Sequence, residues 1–276
     1  MKTAFVKMHG LGNDFVVIDA MTDHIALSPD QIRFLADRHF GVGCDQLLLL
    51  EPPTSEKADV TYRIFNADGG EVEQCGNGAR CVAVYLRESH GLDKQEIIAE
   101  TAKGLIRLYN RPDGQVTVNM GIPRFEPADI PVCFDQRERT YKVKINDLTI
   151  EFAALSMGNP HAILEVADVD KAPVGSWGPL IESHELFPER VNVGFMQIID
   201  RDRIRLRVHE RGVGETLACG TGACAAVVAG IVNDRLDNVT SVTLPGGELQ
   251  IAWAGPDQPV MMTGPATRVF EGVIEL

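Results

Sequence analysis

The sequence predicts an α+β fold made of two pseudo-symmetric repeated domains, in each of which a curved sheet surrounds a central helix. Three observations favour it: a Cys-Gly-x-Gly-Ala pentapeptide occurs twice, each half contains short strand-like segments and two helices, and one helix is apolar on every side. A helix of that kind has to be buried, most simply inside a curled sheet. The 276 residues are enough for about two domains with a core each.

The internal repeat is the strongest of these observations. Residues 75–79 recur 144 positions later as residues 219–223, and Arg63-Ile64 and Gly70-Glu71 have counterparts at the same spacing. Weaker matches follow in the same order: Gly12-Asn13 with Gly158-Asn159, residues 42–46 with 193–197, and Gly104 with Gly247. Collinear matches indicate that one domain has been duplicated. The Pro- and Gly-bearing stretch 121–131 marks the crossing, which gives domains of 1–119 and 120–264.

Each half predicts the same kinds of element. In the first half, Ser28 is a candidate N-cap with Pro29 at N1, Gln31 completes a capping box, and Gly41 lies beyond the helix end. The partner helix is expected near 171–183, and a second helix starts just after each Cys-Gly-x-Gly-Ala. Strands are predicted at 15–19, 47–50, 60–64, 97–101, 105–109 and 116–120, and at 142–145, 149–155, 162–166, 193–200, 204–208, 242–244, 249–253 and 260–263.

Composition excludes several classes of function. The net charge of −13 and the absence of a Lys/Arg cluster speak against nucleic acid as a partner. The longest apolar run, residues 223–232, is about half the length of a membrane span, and the N-terminus lacks the apolar core of a secretory signal. We therefore expect a soluble, cytoplasmic protein without membrane contact. Six cysteines are too few for a disulfide scaffold and would stay reduced there.

The repeated cysteines, Cys75 and Cys219, stand at the start of the two buried helices. Unpaired N–H groups and the helix dipole favour an anion at that position, so we expect a lowered thiol pKa there. Pseudo-symmetry would bring the two thiols face to face. A thiolate facing a thiol offers a base on one side of a carbon and an acid on the other, which is what inversion by proton exchange requires.

Other interpretations of the cysteines and glycines are weaker. The spacings from Cys75 to Cys81 and from Cys219 to Cys224 do not fit zinc knuckles, and no C-x-x-C redox motif is present. The glycines match neither G-x-G-x-x-G nor a Walker pattern, and nothing indicates pyridoxal phosphate, so no metal and no cofactor is expected. Four cysteines are interpreted as buried and structural: Cys44, Cys81, Cys133 and Cys224.

The chain resembles the diaminopimelate epimerases, cofactor-independent enzymes that interconvert LL- and meso-diaminopimelate for lysine and peptidoglycan precursor synthesis. Four motifs in order carry the resemblance: residues 9–15 (HGLGNDF), 66–69 with 74–80 (NADG and QCGNGAR), 156–161 (SMGNPH), and 210–212 through 219–224 (ERG and CGTGAC). It implies mainly antiparallel sheets and a final strand, 265–276, that returns to the first domain.

The resemblance also implies roles for individual residues. Cys75 and Cys219 would be the acid/base pair, and Arg211 would bind the carboxylate remote from the reacting carbon. Glu210 would accept from the substrate ammonium or tune a thiol, and His161 would modulate cysteine ionisation. Substrate contacts would come from Asn13, Gln46, Asn66, Gly76, Asn77, Asn159, Asn192, Glu210, Arg211, Gly220 and Thr221.

Two departures and two rivals accompany the resemblance. The family often has an aromatic hydroxyl where this chain has Phe270, which bears on the implied homodimer, and Cys44 stands where phenylalanine is common. A proline-racemase-like enzyme shares the two-cysteine chemistry but typically has His where this chain has Asn77. A binding module without catalysis would not need both cysteines. The expected partner is a small-molecule substrate, diaminopimelate.

Overall fold

The computed structural model describes residues 2–72, 75–145 and 148–276. Gln74, part of the first cysteine motif, lies outside the described residues. The chain divides into two compact units, residues 1–119 with 263–276 (unit 1) and residues 120–262 (unit 2). Within the described ranges no helix is long and apolar enough to cross a membrane.

The elements follow one another in chain order. The first ten are β1 (Lys2–Gly10), β2 (Asn13–Asp19), α1 (Pro29–Ala36), β3 (Gln46–Glu51), β4 (Val60–Asn66), β5 (Glu71–Val72), α2 (Gly76–His90), β6 (Glu96–Thr101), β7 (Gly104–Asn110) and β8 (Val116–Asn119). The others are β9 (Tyr141–Ile145), β10 (Leu148–Ser156), β11 (Pro160–Glu165), a 3₁₀ turn (Val169–Lys171), α3 (Val174–Glu182), β12 (Asn192–Asp200), β13 (Arg203–Glu210), β14 (Gly214–Thr216), α4 (Gly220–Val232), β15 (Val239–Leu244), β16 (Gly247–Ala252), β17 (Met261–Gly264) and β18 (Thr267–Glu275).

Unit 1 is a mixed, mainly antiparallel sheet around α2. Strand β1 lies between β2 and β18 and is antiparallel to both. Strand β2 pairs in parallel with β3, which pairs antiparallel with β4, and β4 continues to β5 and β6. Strands β6, β7 and β8 complete the unit. Helix α2 contacts β1, β3, β7, β8 and β18, so strands surround it.

Unit 2 repeats this arrangement. Strands β9, β10 and β11 are antiparallel, β11 pairs in parallel with β12, and β12 pairs antiparallel with β13. Strand β13 continues to β14 and β15, and β15 to β16. Helix α4 contacts β10, β11, β12, β13, β15 and β16, and residues 222–230 of it are buried, as its apolar composition requires. The predicted fold class, two repeated sheet-dominated domains, is confirmed.

Strand pairing shows which residues of the two units are equivalent. In unit 1 Phe15 of β2 lies opposite Gln46 of β3, and in unit 2 His161 of β11 lies opposite Asn192 of β12. Phe15 and His161 are 146 positions apart in the sequence, and so are Gln46 and Asn192. The predicted match of residues 42–46 with 193–197 is wrong by five residues. It aligned Gln46 with the identical residue Gln197, whereas the strand pairing makes Asn192 the counterpart of Gln46.

Local sequence patterns predicted the two surface helices, α1 and α3, but not the first strand, β1. Ser28 accepts from the Gln31 N–H and Gln31 accepts from the Ser28 N–H, so the predicted capping box is present. Helix α3 falls inside the range expected for its partner. Strand β1 was not predicted: its register shifts at Lys7/Met8, and four consecutive buried residues from Phe5 hide the alternation of a strand.

Candidate active site

Each repeated cysteine is the N-cap of its unit's buried helix. Cys75 and Cys219 have extended backbone conformations, and α2 and α4 begin at the glycines that follow them. Close packing explains why residue 222 of α4 is a glycine. A Cβ at Gly222 would lie 3.3 Å from the Cys219 Sγ and 3.0 Å from Val208. The backbone N–H groups at a helix N-terminus are suited to an anion such as a carboxylate.

In unit 1 an asparagine joins the cysteine to the helix. The Cys75 thiol donates to Asn13 Oδ1 over 3.7 Å, and Asn77 Nδ2 donates to the same oxygen over 3.2 Å. Asn13 in turn donates to the Asp45 carboxylate over 3.1 Å. Next to Asp45, Gln46 Nε2 donates to Asn66 Oδ1 over 2.9 Å. Cys75, Asn13, Asn77 and Asp45 therefore form one hydrogen-bonded group, called the first cluster, and Gln46 and Asn66 form a separate pair that begins at the next residue of the chain.

A partly exposed ion network adjoins the first cluster. Asp45 and Asp14 both receive hydrogen bonds from Arg38, and Lys7 contacts Asp14 and the carbonyl of Gly43. Burial alone would raise the pKa of Asp14, but the hydrogen bonds from Arg38 and Lys7 hold that pKa well below its ordinary value. Asp14 therefore stays ionised and keeps the segment that carries Asn13 in place.

In unit 2 the cysteine contacts a carboxylate. The Cys219 thiol donates to Glu210 Oε2 over 3.0 Å, and Thr221 Oγ1 lies 3.6 Å from the same sulfur. Thr216 donates its hydroxyl to the other Glu210 oxygen. Glu210 ends β13, at the position that Asn66 occupies at the end of β4. We call Cys219, Glu210 and Thr221, with the residues that contact them, the second cluster.

A buried histidine extends the second cluster. Asn159 Nδ2 donates to Thr221 Oγ1 over 3.3 Å, and His161 Nε2 lies 3.0 Å from Asn159 Oδ1, which can only accept. His161 Nδ1 is buried and has no hydrogen-bond partner within the described residues. Burial, with a smaller contribution from Arg211, lowers the pKa of His161 to about 3. The imidazole is therefore neutral near neutral pH and orients Asn159.

Asn192 and Arg211 are linked through the backbone. Asn192 is 3% exposed, donates to the Pro160 carbonyl over 2.9 Å and accepts from the Arg211 N–H over 3.0 Å. The Arg211 guanidinium is exposed and donates to the Glu189 carbonyl. Both ends of the Asn192 amide are thus used inside unit 2, so this residue positions the Arg211 backbone, and the Arg211 guanidinium faces solvent.

The ionisation of Cys219 differs from the expectation. We expected the helix N-terminus to lower the thiol pKa, and the Gly222 N–H does act in that direction. Burial and then the negative charge of Glu210 outweigh it, so the pKa of Cys219 is raised well above its ordinary value. Cys219 is a thiol in this conformation.

Comparison with known proteins identifies the family. Residues 5–126 and 153–269 match the profile of the diaminopimelate epimerases. Diaminopimelate epimerase of Nitrosomonas europaea is 60% identical over 276 residues and that of Thioalkalivibrio sulfidiphilus 59% over 278, each match covering both proteins completely. The chain belongs to the diaminopimelate epimerase family.

Solved structures share the fold of this diaminopimelate epimerase family member at low sequence identity. A hydroxyproline epimerase from Agrobacterium vitis superposes with a TM-score of 0.70 at 17% identity, covering 99% of this chain and 92% of the other. A PhzF-family phenazine biosynthesis protein from Bacillus anthracis gives 0.72 at 18%, with complete coverage of both chains. These likenesses bear on the fold alone.

Two features of this family member were missed or misassigned from sequence. Arg80 is completely buried in α2 and donates to Asn77 Oδ1 over 2.9 Å and to the Pro265 carbonyl over 3.0 Å. Its signal was an arginine set between small and apolar residues in the first half of α2, at residues 78–84. Cys133 was interpreted as buried, but it is exposed, because it lies in the loop before β9. Cys44, Cys81 and Cys224 are buried as predicted.

Proposed function

We propose that this protein interconverts LL- and meso-2,6-diaminopimelate by proton exchange at one α-carbon, with Cys75 and Cys219 as the acid/base pair and without a cofactor. One observation carries the proposal: each unit holds one cysteine at the N-terminus of its buried helix, hydrogen-bonded within a polar cluster. The identity of 60% to a diaminopimelate epimerase supports the choice of substrate.

The chemistry balances with two sulfur atoms. One cysteine, as thiolate, takes the α-proton and becomes a thiol; the other, as thiol, gives its proton to the opposite face of the carbanion and becomes a thiolate. Because Cys219 is a thiol hydrogen-bonded to Glu210, we assign it the role of acid in the first turnover and Cys75 that of base. The reverse reaction exchanges these roles.

The polar clusters supply what a doubly zwitterionic substrate needs. The N–H groups at Gly76 and Gly220, where α2 and α4 begin, would stabilise the carboxylate next to the carbanion. The exposed guanidinium of Arg211 would bind the remote carboxylate. Side-chain oxygens would accept from the ammonium groups, and the contacts would come from Asn13, Gln46, Asn66, Asn77, Asn159, Glu210 and Thr221, with Asn192 and His161 holding Arg211 and Asn159 in place.

Proton NMR of LL-diaminopimelate in D₂O tests the proposal. Reduced wild-type protein should form meso product with deuterium at one α-carbon, and Cys75→Ala and Cys219→Ala should each lose epimerisation. Cys133→Ala is the matched control, because that thiol is exposed and belongs to neither cluster. A wild-type protein without exchange on this substrate would contradict the proposal, and proline would be the next substrate assayed.

The geometry required by the mechanism has a test of its own. Both thiols have to reach the same α-carbon, so oxidation by diamide should join Cys75 to Cys219 and abolish activity, and dithiothreitol should restore it. Peptide mapping identifies the bond. A bond formed by other cysteines, with activity lost in parallel, would contradict the facing arrangement.

The proposal includes a homodimer that acts in the cytoplasm in lysine and peptidoglycan precursor synthesis. Exposed apolar side chains on β18 support the dimer: Val269 (54% exposed), Phe270 (48%) and Val273 (66%). Light scattering after size exclusion should give twice the monomer mass, and Phe270→Asp should shift the mass towards the monomer. A monomeric wild-type protein at micromolar concentration would contradict the dimer.

A further inference from the structure

The last residue of α3, Glu182, bonds to both ends of the segment that carries Glu210 and Arg211. Its Oε1 accepts from the Gly212 N–H over 2.8 Å, and its Oε2 lies 2.8 Å from His209 Nε2. Both side chains of this pair are nearly inaccessible, at 10% exposure for Glu182 and 8% for His209. A buried carboxylate is retained in such a place only when its hydrogen bonds are satisfied, so the segment is fixed relative to α3.

Close packing fixes α3 relative to β13. A Cβ at Gly178 would lie 2.5 Å from Cγ of His209, so the helix backbone rests directly on the imidazole. From the side of β12, Asn192 accepts from the Arg211 N–H. Residues 209–212 are therefore held from two elements, and the exposed Arg211 side chain starts from a backbone that is not free to move.

Unit 1 holds the equivalent turn from the equivalent helix. Arg33 of α1 donates from Nη1 to the carbonyl of Asp68 over 2.8 Å. Asp68 lies two residues after Asn66, as Gly212 lies two residues after Glu210. In unit 1 a cation binds a backbone carbonyl of this turn, and in unit 2 a carboxylate binds a backbone N–H of the equivalent turn. Because side chains of opposite charge hold the two turns, the contact serves to position the turn and does not depend on the sign of the charge.

We infer that Glu182 is a positioning residue, which holds the Glu210–Gly212 backbone so that the Arg211 guanidinium meets the remote carboxylate of the substrate. The inference rests on the proposed function. Glu210 is also held by its contacts with Thr216 and Cys219. Arg211 is held by Asn192, by the Glu189 carbonyl and by the hydrogen bond from the Gly212 N–H to Glu182, which we call the clamp. Loss of the clamp should therefore weaken substrate binding more than it slows proton transfer.

Two substitutions distinguish the effect of the length of the Glu182 side chain from the effect of its charge. Glu182→Gln keeps the length: its amide oxygen can accept from Gly212 and its amide nitrogen can donate to His209. Glu182→Asp keeps the charge but is one methylene shorter, so it cannot reach both partners. We expect KM for LL-diaminopimelate to rise at least tenfold in Glu182→Asp with kcat within threefold of wild type, and both constants to stay within threefold in Glu182→Gln. Glu185→Asp, an exposed position three residues on, is the matched control.

The outcomes distinguish this inference from its alternatives. Impairment of Glu182→Gln with a normal Glu182→Asp would mean that charge matters, and an equal loss of kcat in both with KM unchanged would mean a merely structural role; either result overturns the inference. Hydrogen exchange adds a readout without substrate: the peptide spanning 209–212 should exchange faster in Glu182→Asp than in wild type, and unchanged exchange overturns the clamp. If the proposed function is what fails, the wild-type protein itself will lack activity on diaminopimelate.

Discussion

The Cys219 sulfur lies 3.0 Å from a carboxylate oxygen of Glu210, and the thiol donates to it. In unit 1 the corresponding acceptor of the Cys75 thiol is the neutral amide oxygen of Asn13, at 3.7 Å. The two thiols of this repeated protein therefore donate to different acceptors, a carboxylate oxygen in unit 2 and an amide oxygen in unit 1.

Removal of the Glu210 charge should make Cys219 more acidic. Glu210 raises the thiol pKa because its charge repels the thiolate and because it accepts a hydrogen bond from the neutral thiol, so Glu210→Gln should move the onset of Cys219 alkylation to lower pH. The measurement is the pH dependence of iodoacetamide labelling, read by peptide mass spectrometry. Glu248→Gln, an exposed position of the same unit, should leave the onset unchanged. An unshifted onset in Glu210→Gln would show that burial alone governs this thiol.

The remaining cysteines should label in an order set by exposure. Burial raises the pKa of Cys44 to about 11 and that of Cys81 to about 12, so neither forms thiolate near pH 8, whereas Cys133 is exposed. Native protein at pH 8 should therefore be alkylated at Cys133 before Cys44, Cys81 and Cys224, which should react only in denaturant. Early labelling of Cys81 would contradict its complete burial.

His161 should make the protein less stable in mild acid. Burial keeps it neutral in the folded state down to about pH 3, but the unfolded chain binds a proton below about pH 6.5, so the free energy of unfolding falls as pH drops through this window. His161→Phe copies Phe15, its counterpart in unit 1, and should reduce the loss between pH 7.5 and 5.0 by about 2 kcal/mol. Urea unfolding at the two pH values measures it.

The control for this change is His24→Gln, because His24 is exposed. It should lose as much stability between the two pH values as wild type. If His161→Phe does the same, protonation of His161 in the unfolded chain is not what the acid sensitivity reports.

Arg80 should be a large contributor to the stability of unit 1. Arg80→Met keeps most of the volume but leaves the Pro265 carbonyl and Asn77 Oδ1 without this donor. A buried group that loses its hydrogen bond costs about 1–3 kcal/mol, so the unfolding free energy should fall by at least about 2 kcal/mol. Urea unfolding followed by circular dichroism is the measurement. Arg111→Met, at an exposed position, should change it by less than about 0.5 kcal/mol.

Sequence could predict the features that local patterns encode. The duplicated pentapeptides identified both helix N-termini with Cys75 and Cys219, and the capping box at Ser28 and Gln31 located α1. Each depends on residues a few positions apart, which is the range over which a pattern specifies backbone structure. The all-apolar composition of α4 likewise required its burial in the sheet.

Features that depend on packing between distant segments could not be predicted. Glu182 and Gly212 are thirty positions apart, and only the docking of α3 on β13 brings them together. The pKa of Cys219 depends on burial and on a carboxylate nine residues away, which outweigh the helix terminus that the motif revealed. The equivalence of residues between the two units could not be predicted either. Strand pairing makes Asn192 the counterpart of Gln46, whereas residue identity favoured Gln197.

The pairing of β1 with β18 affects the order in which the units can be completed during synthesis. Residues 120–262 form a unit of their own, and the ribosome makes all of them before it makes β18. Domains generally fold in the order of their emergence, the N-terminal one first. Here the N-terminal unit has to wait with the edge of β1 open while the second unit has all its strands. An unpaired strand edge is a site of aggregation, so a nascent chain stalled before residue 267 should be the species most in need of a chaperone.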